Sequence, residues 1–451
     1  MIASIARAIL LACVAHGFVA PAPRHGFVAP ITRRQVALRA APITAPIVEK
    51  LRDVTEPAAR DLAAQYEAAD LPSSRTAYVK TSATSGPALV LVHGFDSSAL
   101  EFRRLLPELE RRGVRAYAYD VAGWGLTEPT GVDIAAKRAQ LREFLAEVVG
   151  GDAVLVGASL GAAICVDALA AGLDGVGSVA LLDPQCFIDG APPVPEFAAR
   201  FGVRVLRSWP LRALANRVAY FDKSLGTDDA IRVGLLHCER PGWEDDAVAW
   251  VNGGGYAISA KVAPALKDRR TLVLWGDNDE ILPPKDNVPR FADALPEADV
   301  RFVRDCGHVP HLEQPRMTAD VLASFVGGGA VAAVAGLSDA RGTPAPRDAV
   351  GVVQNYRGPV GAGASFDWTG VSREPLGDDR AAYKVRRFRE ARDARDGDVT
   401  VRWSAPITIL GILFFFPLFF MDTFFAISRG FICASRNVAI ADLCSPIAPR
   451  I

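Results

Sequence analysis

The string Gly157-Ala158-Ser159-Leu160-Gly161 constrains the fold of this chain more than any other. An apolar run, Ala153-Val154-Leu155-Val156, leads into it, and small residues, Ala162-Ala163-Ile164-Cys165, lead out. That order predicts a buried strand, a tight turn and a helix, the setting in which a G-x-S-x-G serine becomes a nucleophile elbow. The glycines permit the turn because they bring no Cβ into it. The serine oxygen is then pushed out at the strand tip, and the helix directs its first free N–H groups at the reacting atom.

A serine nucleophile needs a base, and the base needs an acid to orient it. The chain has six histidines. His16 and His25 lie in an acid-free leader, and His93 follows the strand-like run Ala88-Leu89-Val90. His308 and His311 share the loop Asp305-Cys306-Gly307-His308-Val309-Pro310-His311, after the strand-like Asp299-Val300-Arg301-Phe302-Val303. His237 sits beside Cys238 in a long insertion. The acid comes from Thr271-Leu272-Val273-Leu274-Trp275-Gly276-Asp277-Asn278-Asp279-Glu280, a buried-strand run that opens into carboxylates.

Five motifs stand in order: Leu91-Val92-His93-Gly94-Phe95, Asp120-Val121-Ala122-Gly123-Trp124-Gly125, the serine pentapeptide, Trp275-Gly276-Asp277-Asn278-Asp279 with Pro283, and Gly307-His308-Val309-Pro310-His311-Leu312-Glu313. On these, residues 86–326 resemble α/β-hydrolases, whose triad runs Ser…Asp…His along the chain. Further strings resemble plant and algal chloroplast-type α/β-hydrolases of poorly defined substrate. They are Phe95-Asp96-Ser97-Ser98 with Glu101-Phe102-Arg103-Arg104, Leu236-His237-Cys238, Trp243-Glu244-Asp245 and Gly253-Gly254-Gly255-Tyr256.

The resemblance implies an α/β fold with a mostly parallel sheet, flanking helices and a helical cap. It implies Ser159 as nucleophile, His308 as general base and Asp279 as the orienting acid, with Asp277 and Glu280 as close rivals in the same loop. The backbone N–H groups of Phe95 and Leu160 would form the oxyanion hole. Trp124 is expected to border the pocket and His237 to touch substrate, against a structural reading for the latter. His93 and His311 are read as braces, Asp120 as a turn carboxylate, and Cys306 as loop packing. A serine at the elbow argues against the branches that use an aspartate nucleophile. The implied reaction is cleavage of a carboxylic ester or related acyl bond through an acyl-enzyme. Cleavage of a C–C bond next to a carbonyl, and a slow-turnover ligand receptor or scaffold, are the alternatives.

Composition bounds the rest. Net charge is −1, from 50 basic and 51 acidic residues, so no global field invites nucleic acid. There is no P-loop, no dinucleotide fingerprint and no paired-cysteine metal spacing, and neither a cofactor nor a metal is expected. The seven cysteines are scattered singly and do not form a disulfide framework. Nearly 90 residues separate the strand run at 178–183 from that at 271–275, far more than one crossover helix needs. This places a cap at about 184–265, and its aromatics, among them Phe197, Phe201, Trp209, Tyr220 and Phe221, serve an apolar pocket for a small acyl substrate or, for most of them, packing of the cap on the core.

Outside the hydrolase-like portion (49–330) the character changes. Residues 1–48 contain no acid and five arginines. A short apolar core, Ile9-Leu10-Leu11-Ala12-Cys13-Val14-Ala15, reads as a signal peptide of about 1–17 ahead of a transit-like stretch, 18–48. With Phe18 after the cleavage point, this resembles the bipartite presequences of algae with secondary plastids. The expected location is a plastid, with a secretory or mitochondrial destination as the alternative. Residues 331–402 read as a low-complexity, charged linker, 403–428 as a single transmembrane helix, and 429–451 as a tail. Within 405–427 the only charge is Asp422, and a stretch of that length crosses ~30 Å of hydrocarbon. Membrane association is expected through this span, with an interfacial anchor or a buried hairpin as the alternatives.

Overall fold

A computed structural model describes residues 38–40, 44–190, 194–328 and 337–339 of the chain. The chain divides into two units, Met1–Val399 and Thr400–Ile451, and every described residue belongs to the first. No helix among the described residues is long and apolar enough to cross a membrane. The span expected at 405–427, most of the leader and nearly all of the linker lie outside those residues.

Among the described residues eleven strands form one sheet: β1 (Leu38–Ala40), β2 (Glu67–Leu71), β3 (Ser74–Lys80), β4 (Ala88–Val92), β5 (Ala116–Tyr119), β6 (Glu128–Pro129), β7 (Ala153–Ala158), β8 (Val176–Leu182), β9 (Arg270–Gly276), β10 (Asp299–Val303) and β11 (Leu337–Asp339). The spatial order is β1-β2-β3-β5-β4-β7-β8-β9-β10-β11, with β6 pairing β3. From β5 to β10 every pairing is parallel, while the outer pairings on both sides are antiparallel.

The parallel strands are continuous apolar runs because helices cover both faces of the sheet. In β4 all five residues are buried, and in β7 all six. Side chains alternate between faces with period two. Leu89, Leu91, Val154, Val156, Leu272 and Leu274 pack in one core, and Val90, Val92, Leu155, Val273 and Trp275 in the other. The helix Leu160–Ala170 lies inside the second core and is apolar nearly all round, with every residue from Leu160 to Leu169 buried. Chain order reverses across β4, which has β5 on one side and β7 on the other. Such a reversal opens a crevice at the carboxyl ends of the two strands. Phe95 follows β4 there and Ser159 follows β7.

The insertion between β8 and β9 folds as helices: Glu196–Leu206, Trp209–Ala219, Asp228–Leu235 and Trp243–Gly253, with short 3-10 turns between them. Its aromatics do not all turn inward as expected for an apolar pocket. Phe197, Phe201, Trp209 and Phe221 are among the exposed large apolar side chains, whereas Trp243, Trp250 and Tyr256 are buried in packing. A cap helix has two sides, and aromatic content alone does not tell which one meets the core.

Candidate functional site

Ser159 stands between β7 and the helix Leu160–Ala170 at φ 50° and ψ −116°. A non-glycine residue at positive φ is strained, so its surroundings must hold it. The Ser159 N–H donates to the Leu182 carbonyl (2.9 Å), and the Ser159 carbonyl accepts from the N–H of Ala162 and of Gln185, each at 3.0 Å. Glycine is needed on both sides of the turn. A Cβ at Gly157 would lie 2.5 Å from Ala162 Cα, and one at Gly161 would overlap the Val92 carbonyl.

His308 arrives on the loop after β10, 149 residues along the chain from Ser159. With its proton on Nδ1, it donates to Asp279 Oδ2 at 2.8 Å and accepts from the Ser159 hydroxyl at Nε2, 3.0 Å. Its backbone N–H donates to the carbonyl of Ala219, at the end of the cap helix Trp209–Ala219 (2.7 Å). Glu313 strengthens the same junction by accepting from the N–H groups of Gly307, Phe221 and Asp222. The histidine loop is therefore bonded to the cap as well as to the sheet.

Asp279 ends the loop after β9 and is 3 % exposed. The N–H groups of Ile281 (2.8 Å) and Leu282 (2.9 Å) donate to Oδ1, and the Trp275 indole (3.2 Å) joins His308 on Oδ2. The two rivals point elsewhere: Asp277 bonds Asn278, and Glu280 pairs with Lys223 at the surface. Sequence reasoning missed Asp183, which follows β8 at φ 42° and accepts from the Gly276 N–H (2.9 Å). Its ligand atom, Asp279's and His308's lie within 4.8 Å of one another. Burial, reinforced by the charge of Asp279, pushes the Asp183 carboxyl well above the usual carboxylate range. A carboxylate at a strand's carboxyl end was the available signal.

A cavity of about 200 Å3 opens over Ser159 and His308, between the sheet and the cap. Phe95 and Asp96 line it from the loop after β4, and Leu206, Leu211 and Asn216 from the cap. Leu160 opens its helix, where the first N–H groups have no intrahelical acceptor. The loop carrying Phe95 is braced from below. His93 accepts from the Val121 N–H at Nε2 (2.9 Å) and bonds the Gly94 carbonyl through Nδ1 (2.9 Å), and burial keeps it neutral by lowering its pKa. Glu101 accepts from the Gly94 N–H (3.1 Å) and pairs with His311 Nε2 (3.1 Å). Burial alone would raise the Glu101 carboxyl, but the His311 pair prevails and holds it at about 2.

Neither Trp124 nor His237 lines this cavity, which corrects the expectation that they touch substrate. Trp124 is 1 % exposed and packs edge-on to Phe95, with ring centroids 5.5 Å apart. The Lys137 ammonium sits between its indole and that of Trp250, at 4.3 Å and 4.5 Å. His237 bonds Asp96 Oδ1 through Nε2 (3.0 Å), the atom that also accepts from the Trp243 indole (3.0 Å). Arg212 pairs with the other carboxylate oxygen. Three cap side chains thus hold the residue that follows Phe95. Burial, with Arg212 nearby, pushes the His237 imidazole well below its ordinary value. Asp96, His237 and Cys238 form one cluster of possible metal donors, and Asp183, Asp279 and His308 another. The first is already engaged with Arg212 and Trp243, and the second with the Ser159 hydroxyl, Trp275 and backbone N–H groups. Cys306 is buried at the base of the histidine loop, and burial raises its thiol pKa well above the usual range.

A sequence profile of the alpha/beta hydrolase family matches residues 89–321, just over half of the chain. The chain belongs to the alpha/beta hydrolase family. An alpha/beta hydrolase domain-containing protein of Arabidopsis thaliana, VTE7, is 35% identical over 247 residues, covering 53% of this chain and 74% of the relative. Lipase 1 of Psychrobacter immobilis is 29% identical over 261 residues, or 55% of this chain and 79% of the lipase. Among solved structures, the carboxylesterase CesB (YbfK) of Bacillus subtilis superposes with a TM-score of 0.52. That match covers 64% of this chain and all of the esterase at 17% identity, a likeness of fold alone.

Proposed function

We propose that this alpha/beta hydrolase is a serine hydrolase that cleaves a carboxylic ester or related acyl bond through an acyl-enzyme on Ser159. One observation carries the reading: the unbroken chain from Ser159 Oγ through His308 (3.0 Å) to Asp279 (2.8 Å), built on a serine at φ 50° beneath a cavity. His308 Nε2 takes the hydroxyl proton as Oγ attacks the acyl carbon, and Asp279 stabilises the imidazolium. The N–H groups of Phe95 and Leu160 receive the oxyanion, each worth about 3 kcal/mol in the transition state. His308 then protonates the leaving group, and water repeats the sequence on the acyl-enzyme. Similarity to Lipase 1 supports an ester as the substrate bond.

The acid-free leader supports a plastid address, and the apolar run at 405–427 supports a membrane anchor at the end of the chain. A fluorescent fusion of residues 1–48 that never reaches plastids would remove the first, and full extraction of the chain by alkaline carbonate the second.

Incubation of the full chain with a fluorophosphonate, followed by peptide mass spectrometry, tests the chemistry. The adduct is expected on Ser159 and is expected to vanish in Ser159→Ala. An adduct elsewhere, or none, overturns the assignment.

A further inference from the structure

Two carboxamides face the cavity with hydrogen-bonding atoms unused. Gln185 lies three residues beyond β8, and its backbone N–H is bonded to the Ser159 carbonyl (3.0 Å), so its side chain is tied to the nucleophile's neighbourhood. It lines the cavity and is 2 % exposed, yet neither Oε1 nor Nε2 has a protein partner. Asn216 lines the same cavity from the cap, and its buried Nδ2 has no partner either. A buried amide left unpaired destabilises the fold, so its retention needs a reason. The charged groups around the cavity are committed: Arg212 to Asp96, Arg103 to Glu56, Glu101 to His311. Leu206, Leu211, Ile281 and Leu282 give the rest of the wall a largely apolar face, beside the hydroxyl-bearing Ser97, Ser98 and Tyr220.

We propose that Gln185, together with Asn216 of the cap, is a specificity subsite for an ester that carries a neutral hydroxyl or keto oxygen within a few bonds of the scissile carbonyl. The inference rests on the serine-hydrolase reading and narrows its substrate class. A carboxamide both donates and accepts, so it satisfies a hydroxyl completely, whereas a plain hydrocarbon acyl chain leaves it unpaired. Sites built to bond a substrate oxygen reject the analogue that lacks it. An anionic substrate group is disfavoured because both arginines at the cavity, Arg103 and Arg212, are already paired with carboxylates.

The test compares p-nitrophenyl butanoate with its 2-hydroxy and 3-hydroxy counterparts on the full chain, as wild type and Gln185→Leu. Wild type is expected to favour one hydroxy ester roughly tenfold in kcat/KM, the return of one good hydrogen bond. Gln185→Leu is expected to bring that ratio close to one. Its melting temperature should also rise by about 2 °C, because an unpaired amide gives way to an apolar side chain of similar volume. A purely structural glutamine predicts a lower melting temperature and an unchanged ratio, and either result overturns the subsite. If none of these esters turns over, the comparison is read from protection of Ser159 against labelling by butanamide and 3-hydroxybutanamide, with the same two outcomes. Absence of any fluorophosphonate adduct on wild-type Ser159 overturns the hydrolase reading and the subsite together. An adduct with no hydroxy preference overturns the subsite alone.

Discussion

Asp96→Asn probes how the cap sets the geometry of the loop that carries Phe95. The Asp96 side chain is 2 % exposed and that of Arg212 14 %, so their ion pair is largely shielded from water. Removing one member of a buried pair costs about 3–5 kcal/mol, because the surviving charge stays desolvated. Asparagine keeps the shape and one acceptor, which can still serve His237 and Trp243, but it turns an amide N–H2 toward the guanidinium. At 2–4 °C per kcal/mol for a body of this size, the melting temperature should fall by about 10 °C. The φ of 48° at Asp96 adds a second effect, since that conformation is held by the same three cap donors. As the loop relaxes, the Phe95 N–H moves off its target, and labelling of Ser159 by fluorophosphonate should slow about tenfold. Differential scanning calorimetry and labelling time courses read the two quantities separately. Adding Arg212→Leu should restore part of the lost stability, because it removes the stranded charge. A melting temperature within 2 °C of wild type in Asp96→Asn would refute the claim that this pair ties cap to loop.

Among the three carboxylates near His308, Asp279→Asn should lower ester turnover about 10⁴-fold, since the wrong histidine tautomer is then favoured. Asp277→Asn and Asp183→Asn should stay within tenfold of wild type, because Asp279 is the carboxylate bonded to His308 Nδ1; steady-state kinetics would expose a different ranking. Gly161→Ala should yield little folded protein, or protein that does not label, because its Cβ overlaps the Val92 carbonyl and no flexible side chain is there to give way; normal labelling would contradict the close approach of elbow and β4. Burial pushes the Asp120 carboxyl up to about 6, despite bonds from the Ala99 and Leu126 N–H groups and the Tyr66 hydroxyl. A raised acid pKa favours folding below the unfolded value and loses that contribution as pH rises through the folded one. Wild type should therefore lose about 2 kcal/mol relative to Asp120→Asn between pH 4.5 and 7.5 in urea titrations, and parallel curves would exclude it.

Local rules were enough to place the elbow, the buried strands and the cap insertion. A strand covered on both faces must be apolar throughout, and a turn from strand to helix around a serine needs residues without a Cβ. Both demands are written in consecutive residues, so Gly157, Gly161 and the runs at 88–92, 153–158 and 270–276 were legible. Ser159 and His308 were also within reach, because each follows a recognisable strand run. What the sequence could not decide was direction. Asp277, Asp279 and Glu280 are near neighbours, yet only Asp279 turns inward, where two backbone N–H groups, the Trp275 indole and His308 all point. Trp124 and His237 carry side chains suited to a pocket, but tertiary packing places one under Phe95 and the other on Asp96. The outer antiparallel strands β2 and β3 had no continuous apolar signature, because Glu67, Asp70, Arg75 and Lys80 interrupt them. Asp183 and Gln185 were hidden for the same physical reason as the acid: their partners are distant in sequence, and burial is set only when β8, β9 and the cap close over them.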